Sequence, residues 1–92
     1  MDIVRKHVRF TGKVQGVNFR YTSMTQATKL GLTGWVRNDD DGSVEMEVQG
    51  PEELIDELYD IMENISRRIV IDSIDETSIE VEENESEFVI KY

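Results

Sequence analysis

The chain is organised around the sequence GKVQGVNFR, residues 12–20. An apolar, strand-like run precedes it and a helix-like run follows it, so it is predicted to form a short turn that contains glycine. Such a turn leaves several backbone N–H groups without a partner, and the next helix adds the partial positive charge of its N-terminus. Arg20 ends the stretch with a guanidinium that can bind two phosphate oxygens at once. The sequence therefore predicts an anion site suited to a phosphate, without the Gly-Lys-Ser/Thr ending of a Walker loop or the dinucleotide-binding glycine pattern.

The hydrophobic pattern predicts a strand before this turn and a helix after it. Residues 3–13 alternate apolar and polar side chains at Val8 and Phe10, which is typical of a strand with one buried face. Residues 21–30 carry apolar side chains at helical spacing, and Gly31 is a suitable C-terminal cap for that helix.

A β-hairpin is predicted next, with strands at residues 33–38 and 43–49. In the second strand the apolar side chains alternate with two glutamates, so we expect an inward face formed by Val44, Met46 and Val48. Residues 39–42, which read DDDG, form the turn. Three aspartates also raise the alternative of a calcium site, but the rest of the EF-hand spacing is absent, which favours a solvated turn.

The second half predicts one helix and one or two strands. Pro51 is expected at or near the first position of the helix. The apolar stripe of this helix comprises Leu54, Ile55, Leu58, Tyr59, Met62 and Ile65. A fourth strand is expected around residues 69–74, an acidic loop at 82–87, and a short strand at 88–92 that can continue the fourth.

The resulting order, β-α-β-β-α-β, predicts an α+β fold of the ferredoxin-like sandwich type. In this fold an antiparallel sheet carries both helices on one face. Ninety-two residues are enough for one modest core, so residues 1–92 are expected to form a single domain.

The charge of the chain is unevenly distributed and argues against nucleic-acid binding. The formal net charge is −10; residues 1–50 hold seven basic and six acidic side chains, whereas residues 51–92 hold three and 14. A nucleic-acid-binding domain needs a basic face, which this chain as a whole lacks. The basic side chains of the first half surround the predicted phosphate loop in sequence, which is compatible with a small anionic ligand. These side chains are Arg5, Lys6, Arg9, Lys13, Arg20, Lys29 and Arg37.

Several other classes are disfavoured by composition. The chain has no cysteine, so it has no disulfide, thiolate nucleophile or Cys-based metal site. No apolar run approaches the roughly 20 residues of a membrane span, and the N-terminus lacks the apolar core of a signal peptide. We expect a cytoplasmic protein that does not interact with membranes and is a monomer.

Two motifs carry a resemblance to a known family. Residues 12–20 resemble the first signature of the acylphosphatases, and GWVRN at residues 34–38, followed by GSV at 42–44 and Gly50, resembles the second. The spacing of the two blocks and the Phe-x-Ile-x-Tyr ending are also similar to that family. The chain differs at residues 64–68, where family members often carry a Gly- or Pro-containing segment.

The resemblance implies a ferredoxin-like fold and the hydrolysis of acyl phosphates, which are small molecules, without a metal or other cofactor. It places the family's catalytic arginine at Arg20 and its catalytic asparagine at Asn38. It places the phosphate-cradling loop at Gln15, Gly16, Val17, Asn18, Phe19 and Arg20.

Two other functions stay open at this point. The first is a non-catalytic ferredoxin-like module that binds an anion or a protein; the pairing of Arg20 with Asn38 favours the enzyme over it. RNA recognition on the open sheet face is the other, and both the charge and the absence of a suitable aromatic pair disfavour it.

Overall fold

Residues 2–92, as described in a computed structural model, form five strands and two helices. In chain order these are β1 (Ile3–Lys13), α1 (Phe19–Lys29), β2 (Thr33–Asn38), β3 (Val44–Pro51), α2 (Glu52–Asn64), β4 (Val70–Ile79) and β5 (Phe88–Ile90). The first two strands have the predicted bounds. Helix α1 begins at Phe19 rather than at residue 21, so Arg20 lies in its first turn.

The strands form one sheet in the order β4-β1-β3-β2-β5. The pairs β1–β3, β1–β4 and β2–β3 are antiparallel, and β5 adds to β2 in parallel, which makes the five-stranded sheet mixed. The ferredoxin-like fold is therefore confirmed, with a fifth strand at one edge.

Strand β5 does not continue the fourth strand, because it lies at the opposite edge of the sheet. Its position is held by backbone hydrogen bonds at both ends: Gly34 N–H donates to the Glu87 carbonyl at 3.0 Å, and Lys91 N–H donates to the Val36 carbonyl at 2.9 Å. Phe88 adds apolar burial to these hydrogen bonds, being only 5% exposed.

Both helices pack on one face of the sheet, and Phe10 lies where they meet. Its ring centroid is 5.1 Å from that of Phe19 on α1 and 5.9 Å from that of Tyr59 on α2. The predicted inward side chains of β3 are fully buried in the same cluster. Burial of such side chains is the main driving force for joining helices to sheet.

Helix α2 buries most of its predicted stripe, namely Ile55, Leu58, Tyr59 and Met62. Two details differ from the prediction. Pro51 ends β3 and is the N-cap of α2 rather than its first helical residue, and Ile65 lies beyond the last helical residue and is 42% exposed. Neither α1 nor α2, the helices within residues 2–92, has the length and apolar character needed to cross a membrane.

The sheet face opposite the helices is covered by ion pairs. Arg5 is only 2% exposed and pairs with Glu47 and Glu85 at 3.0 and 2.7 Å. Burial alone would raise the pKa of Glu85, but hydrogen bonds from Arg5 and Thr33 and the positive charges of Arg5 and Lys91 together lower that pKa. Glu45, predicted to point outward, does so but is only 9% exposed, because His7 and Arg37 contact its carboxylate.

Candidate active site

The loop between β1 and α1 has a backbone shape that presents N–H groups on one side. Gly16 has a φ of 72° and Asn18 a φ of 68°, both in the left-handed region that glycine and asparagine tolerate best. Within residues 2–92 the N–H groups of Gly16, Val17 and Asn18 donate no hydrogen bond. Helix α1 begins directly after them, so its positive end adds to the loop.

Gln15 holds this loop against the β2–β3 hairpin. Its side-chain amide nitrogen donates to the backbone carbonyls of Asp39 and Ser43, at 2.7 and 2.8 Å. The predicted turn is held from within as well, since the Asp41 carboxylate accepts from the backbone N–H and the hydroxyl of Ser43. These hydrogen bonds lower the pKa of Asp41, so this carboxylate has its partners within the turn.

A cleft of about 480 Å³ opens beside the loop. Its walls come from the loop, the start of α1, the end of β2, the segment before β4, and the C-terminal residues. The lining residues are Val14, Gly16, Val17, Asn18, Phe19, Arg20, Tyr21, Asn38, Arg68, Ile90 and Tyr92.

Arg20 places its positive charge in this cleft. The side chain is half-buried, and its guanidinium carbon lies 5.2 Å from the centroid of the Tyr92 ring. It makes no salt bridge with a carboxylate of residues 2–92. Its guanidinium is therefore available for an anion in the cleft.

Asn38 reaches the cleft from the other side, 18 positions along the chain. It is the last residue of β2, pairs with Val44 in the hairpin, and is exposed. The next residue, Asp39, accepts the hydrogen bond from Gln15. One side chain of the loop thus connects the loop backbone to the strand end that carries Asn38.

The structure brings together most of the residues predicted for the site. Gly16 through Arg20 and Asn38 all line the cleft, whereas Gln15 does not and instead supports the loop. Further residues line it and were not predicted as site residues, namely Val14, Tyr21, Arg68, Ile90 and Tyr92. The Phe-x-Ile-x-Tyr ending was a signal for two of them, but nothing local marked Tyr21 or Arg68.

The basic side chains of the first half do not all serve this cleft. Of the seven that surround the loop in sequence, Arg20 alone is among the lining residues. The others include four that pair with carboxylates elsewhere, namely Arg5, Lys6, Arg9 and Arg37. The expected basic cluster is thus replaced by Arg20 together with Arg68. Residues 2–92 also contain no group of three or more His, Asp or Glu side chains arranged to hold a metal ion.

These features define a class: a ferredoxin-like α+β protein with an anion-binding loop between its first strand and first helix. A family model described as acylphosphatase matches residues 6–90. The chain belongs to the acylphosphatase family.

Individual relatives agree with this assignment. An acylphosphatase of Geobacillus thermodenitrificans is 41% identical over 88 residues, which cover 96% of this chain and 94% of the relative. One from Bifidobacterium longum is 54% identical over 59 residues, covering 64% of this chain and 61% of the relative. The first relatives matched are aligned over 56–63% of their own lengths.

Among solved structures, the crystal structure of acylphosphatase from Bacillus subtilis superposes with a TM-score of 0.88. It is 35% identical, and the match covers 97% of this chain and 99% of that one.

Proposed function

We propose that this protein hydrolyses acyl phosphates to a carboxylate and inorganic phosphate. In the proposed mechanism the loop of residues 15–20 holds the phosphoryl group: the backbone of residues 16–20 and the guanidinium of Arg20 bind it, and Gln15 keeps the loop in place. Asn38 orients the attacking water. One observation supports this function above others: Arg20 and Asn38, from two separate elements, line the same cleft as the free N–H groups of the loop.

The chemistry of the substrate explains why so few groups are needed. An acyl phosphate is a mixed anhydride, and its leaving group at phosphorus is a carboxylate, which departs with the electron pair and needs no proton. A bond forms between the water oxygen and phosphorus as the bond from phosphorus to the acyl oxygen breaks. Catalysis of such a transfer consists mainly of positioning and of stabilising charge on the phosphoryl oxygens.

Arg20 supplies the positive charge in this mechanism. The loop N–H groups and the N-terminus of α1 add oriented donors on the same phosphoryl oxygens. Because Arg20 makes no salt bridge with residues 2–92, no internal ion pair has to break before phosphate binds.

Asn38 orients water rather than removing its proton. A side-chain amide is not a base at neutral pH, but its oxygen accepts a hydrogen bond from water and its NH₂ donates to the phosphoryl group. The proton released by the water passes to a phosphoryl oxygen of the substrate, which balances the reaction without a protein base.

Benzoyl phosphate hydrolysis in the presence of EDTA tests this function. Arg20→Ala is expected to lower kcat/KM by about a thousandfold or more, by analogy with other arginines that stabilise phosphoryl transfer. Lys29→Ala is the matched control, because Lys29 is an exposed cation of the same helix that does not line the cleft. A folded wild-type protein without activity above that of Arg20→Ala would overturn the proposal.

The roles of the two residues are separated by Asn38→Ala. We expect kcat to fall by about 10²–10³-fold, as for loss of one transition-state hydrogen bond, while inhibition by inorganic phosphate stays unchanged. If the affinity for phosphate falls by the same factor as kcat, Asn38 is a binding residue and does not orient water.

A further inference from the structure

Arg68 lies on the wall of the cleft that is formed by the segment between α2 and β4. It is exposed and makes no salt bridge with any carboxylate of residues 2–92. Its backbone is held in place, since its N–H donates to the Ser66 hydroxyl at 3.1 Å and the next residue, Ile69, is only 4% exposed. The cleft therefore has a second cationic side chain, carried by a backbone segment remote from the phosphate loop.

The charged side chains of the cleft wall are all basic. Arg20 and Arg68 are lining residues, and no Asp or Glu side chain of residues 2–92 is among them, although the chain has a net charge of −10. With no carboxylate side chain in the wall to neutralise it, Arg68 is a free partner for a second anionic group of the ligand.

The cleft is also large enough for more than a phosphate. Its volume of about 480 Å³ lies in the range of pockets that bind small organic molecules. Beyond the loop, the wall includes Tyr21, Ile90 and Tyr92, whose aromatic and apolar surfaces suit the carbon atoms of an acyl group.

We propose that Arg68 is a specificity-determining residue that favours acyl phosphates whose acyl group carries a second negative charge, such as a carboxylate. This inference rests on the proposed function, with the phosphoryl end held by the backbone of residues 16–20 and the guanidinium of Arg20. Arg68 binds the remote anionic group in the ground state and the transition state alike, so its effect falls on KM more than on kcat.

Two substrates that differ only in this charge test the inference: benzoyl phosphate and 4-carboxybenzoyl phosphate. The measured quantity is the ratio of kcat/KM for the charged substrate to kcat/KM for the uncharged one. We expect Arg68→Ala to lower this ratio by about three- to tenfold, mainly through KM, which is the size expected for one partly solvated ion pair. The effect is expected to decrease as salt is added.

Arg67→Ala is the matched control, because Arg67 is the adjacent exposed arginine and does not line the cleft. It removes the same charge and is expected to leave the ratio unchanged, while Arg68→Lys is expected to retain part of the preference. An unchanged ratio in Arg68→Ala would overturn the inference, whether both activities persist or fall equally. Failure of the wild type to hydrolyse either substrate would instead overturn the proposed function.

Discussion

Replacing Gln15 tests how the phosphate loop is held against the hairpin. Its amide nitrogen donates to two backbone carbonyls, those of Asp39 and Ser43, at 2.7 and 2.8 Å. Gln15→Ala removes both hydrogen bonds, each of which contributes about 0.5–1.5 kcal/mol net. We therefore expect the free energy of unfolding to fall by about 1–3 kcal/mol.

Gln15→Glu is the sharper variant, because it keeps the shape of the side chain and changes only its hydrogen-bonding character. An ionised carboxylate cannot donate, and here it would face two carbonyl oxygens. At pH 7 we expect it to be less stable than Gln15→Ala by about 1 kcal/mol or more. The carboxyl has a raised pKa in the folded state, so this penalty is present above that pKa and decreases as the pH falls.

Urea denaturation followed by the fluorescence of Trp35, the single tryptophan, measures both variants at pH 7 and pH 5. For a urea dependence of about 1–1.5 kcal/mol per molar, the expected loss of about 1–3 kcal/mol in Gln15→Ala lowers the midpoint by about 0.7–3 M. The free energy of unfolding of each variant is compared with that of the wild type at the same pH. This comparison cancels the contribution of the native carboxylates, which titrate in both proteins. Equal stability of the two variants at pH 7, or a difference between them that does not change with pH, would refute the reasoning.

Two further predictions concern stability. Gly34→Ala is expected to lower the free energy of unfolding by more than about 4 kcal/mol or to prevent folding, because Gly34 has a φ of +140° and a Cβ there would lie 1.9 Å from the Glu47 carbonyl oxygen. Gly31 has a φ of +75° but open space around it. Gly31→Ala is therefore expected to lower the free energy of unfolding by only about 1–2 kcal/mol. Similar melting temperatures for the two variants would contradict this. Burial would raise the pKa of Glu85, but the hydrogen bonds and positive charges around Glu85, mainly those of Arg5, lower that pKa, so its contribution to stability is present at neutral pH and is lost as the pH falls below about 4.3. Glu85→Gln should therefore be less stable at pH 7 and lose less stability on acidification, and parallel curves of unfolding free energy against pH would contradict it.

The parts of the fold that were predictable from sequence are those whose pattern is local. Strands β1 and β2 direct their buried apolar side chains to one face and alternate accordingly, so their bounds follow from periodicity. Strand β4 was predicted too short because it lies at an edge of the sheet, and its second half, DETSI, has no fully buried side chain. Apolar alternation is absent where neither face of a strand is covered.

Contacts between distant residues were the part of the site that could not be predicted. The positive φ of Gly16 follows from its place in a tight turn, but the partners of Gln15 lie 24 and 28 positions away. Strand β5 pairs with the edge of β2 that β3 leaves free. Its sequence of three residues does not indicate which edge of the sheet it joins. Arg68 joins the cleft only because the chain passes from α2 to β4 beside it.

The electrostatics of the cleft arise from selective pairing rather than from an excess of basic residues. Most basic side chains near the loop in sequence are neutralised across the sheet: Arg5 by Glu47 and Glu85, and Lys6 by carboxylates that include Glu52. Glu52 and Glu85 come from the second half of the chain, which holds most of the negative charge, whereas Glu47 comes from the first half. The two arginines of the cleft have no such partner within residues 2–92. A strongly acidic protein can thus keep a local site for anions, because at the short range of a cleft the nearest unpaired charges outweigh the screened net charge.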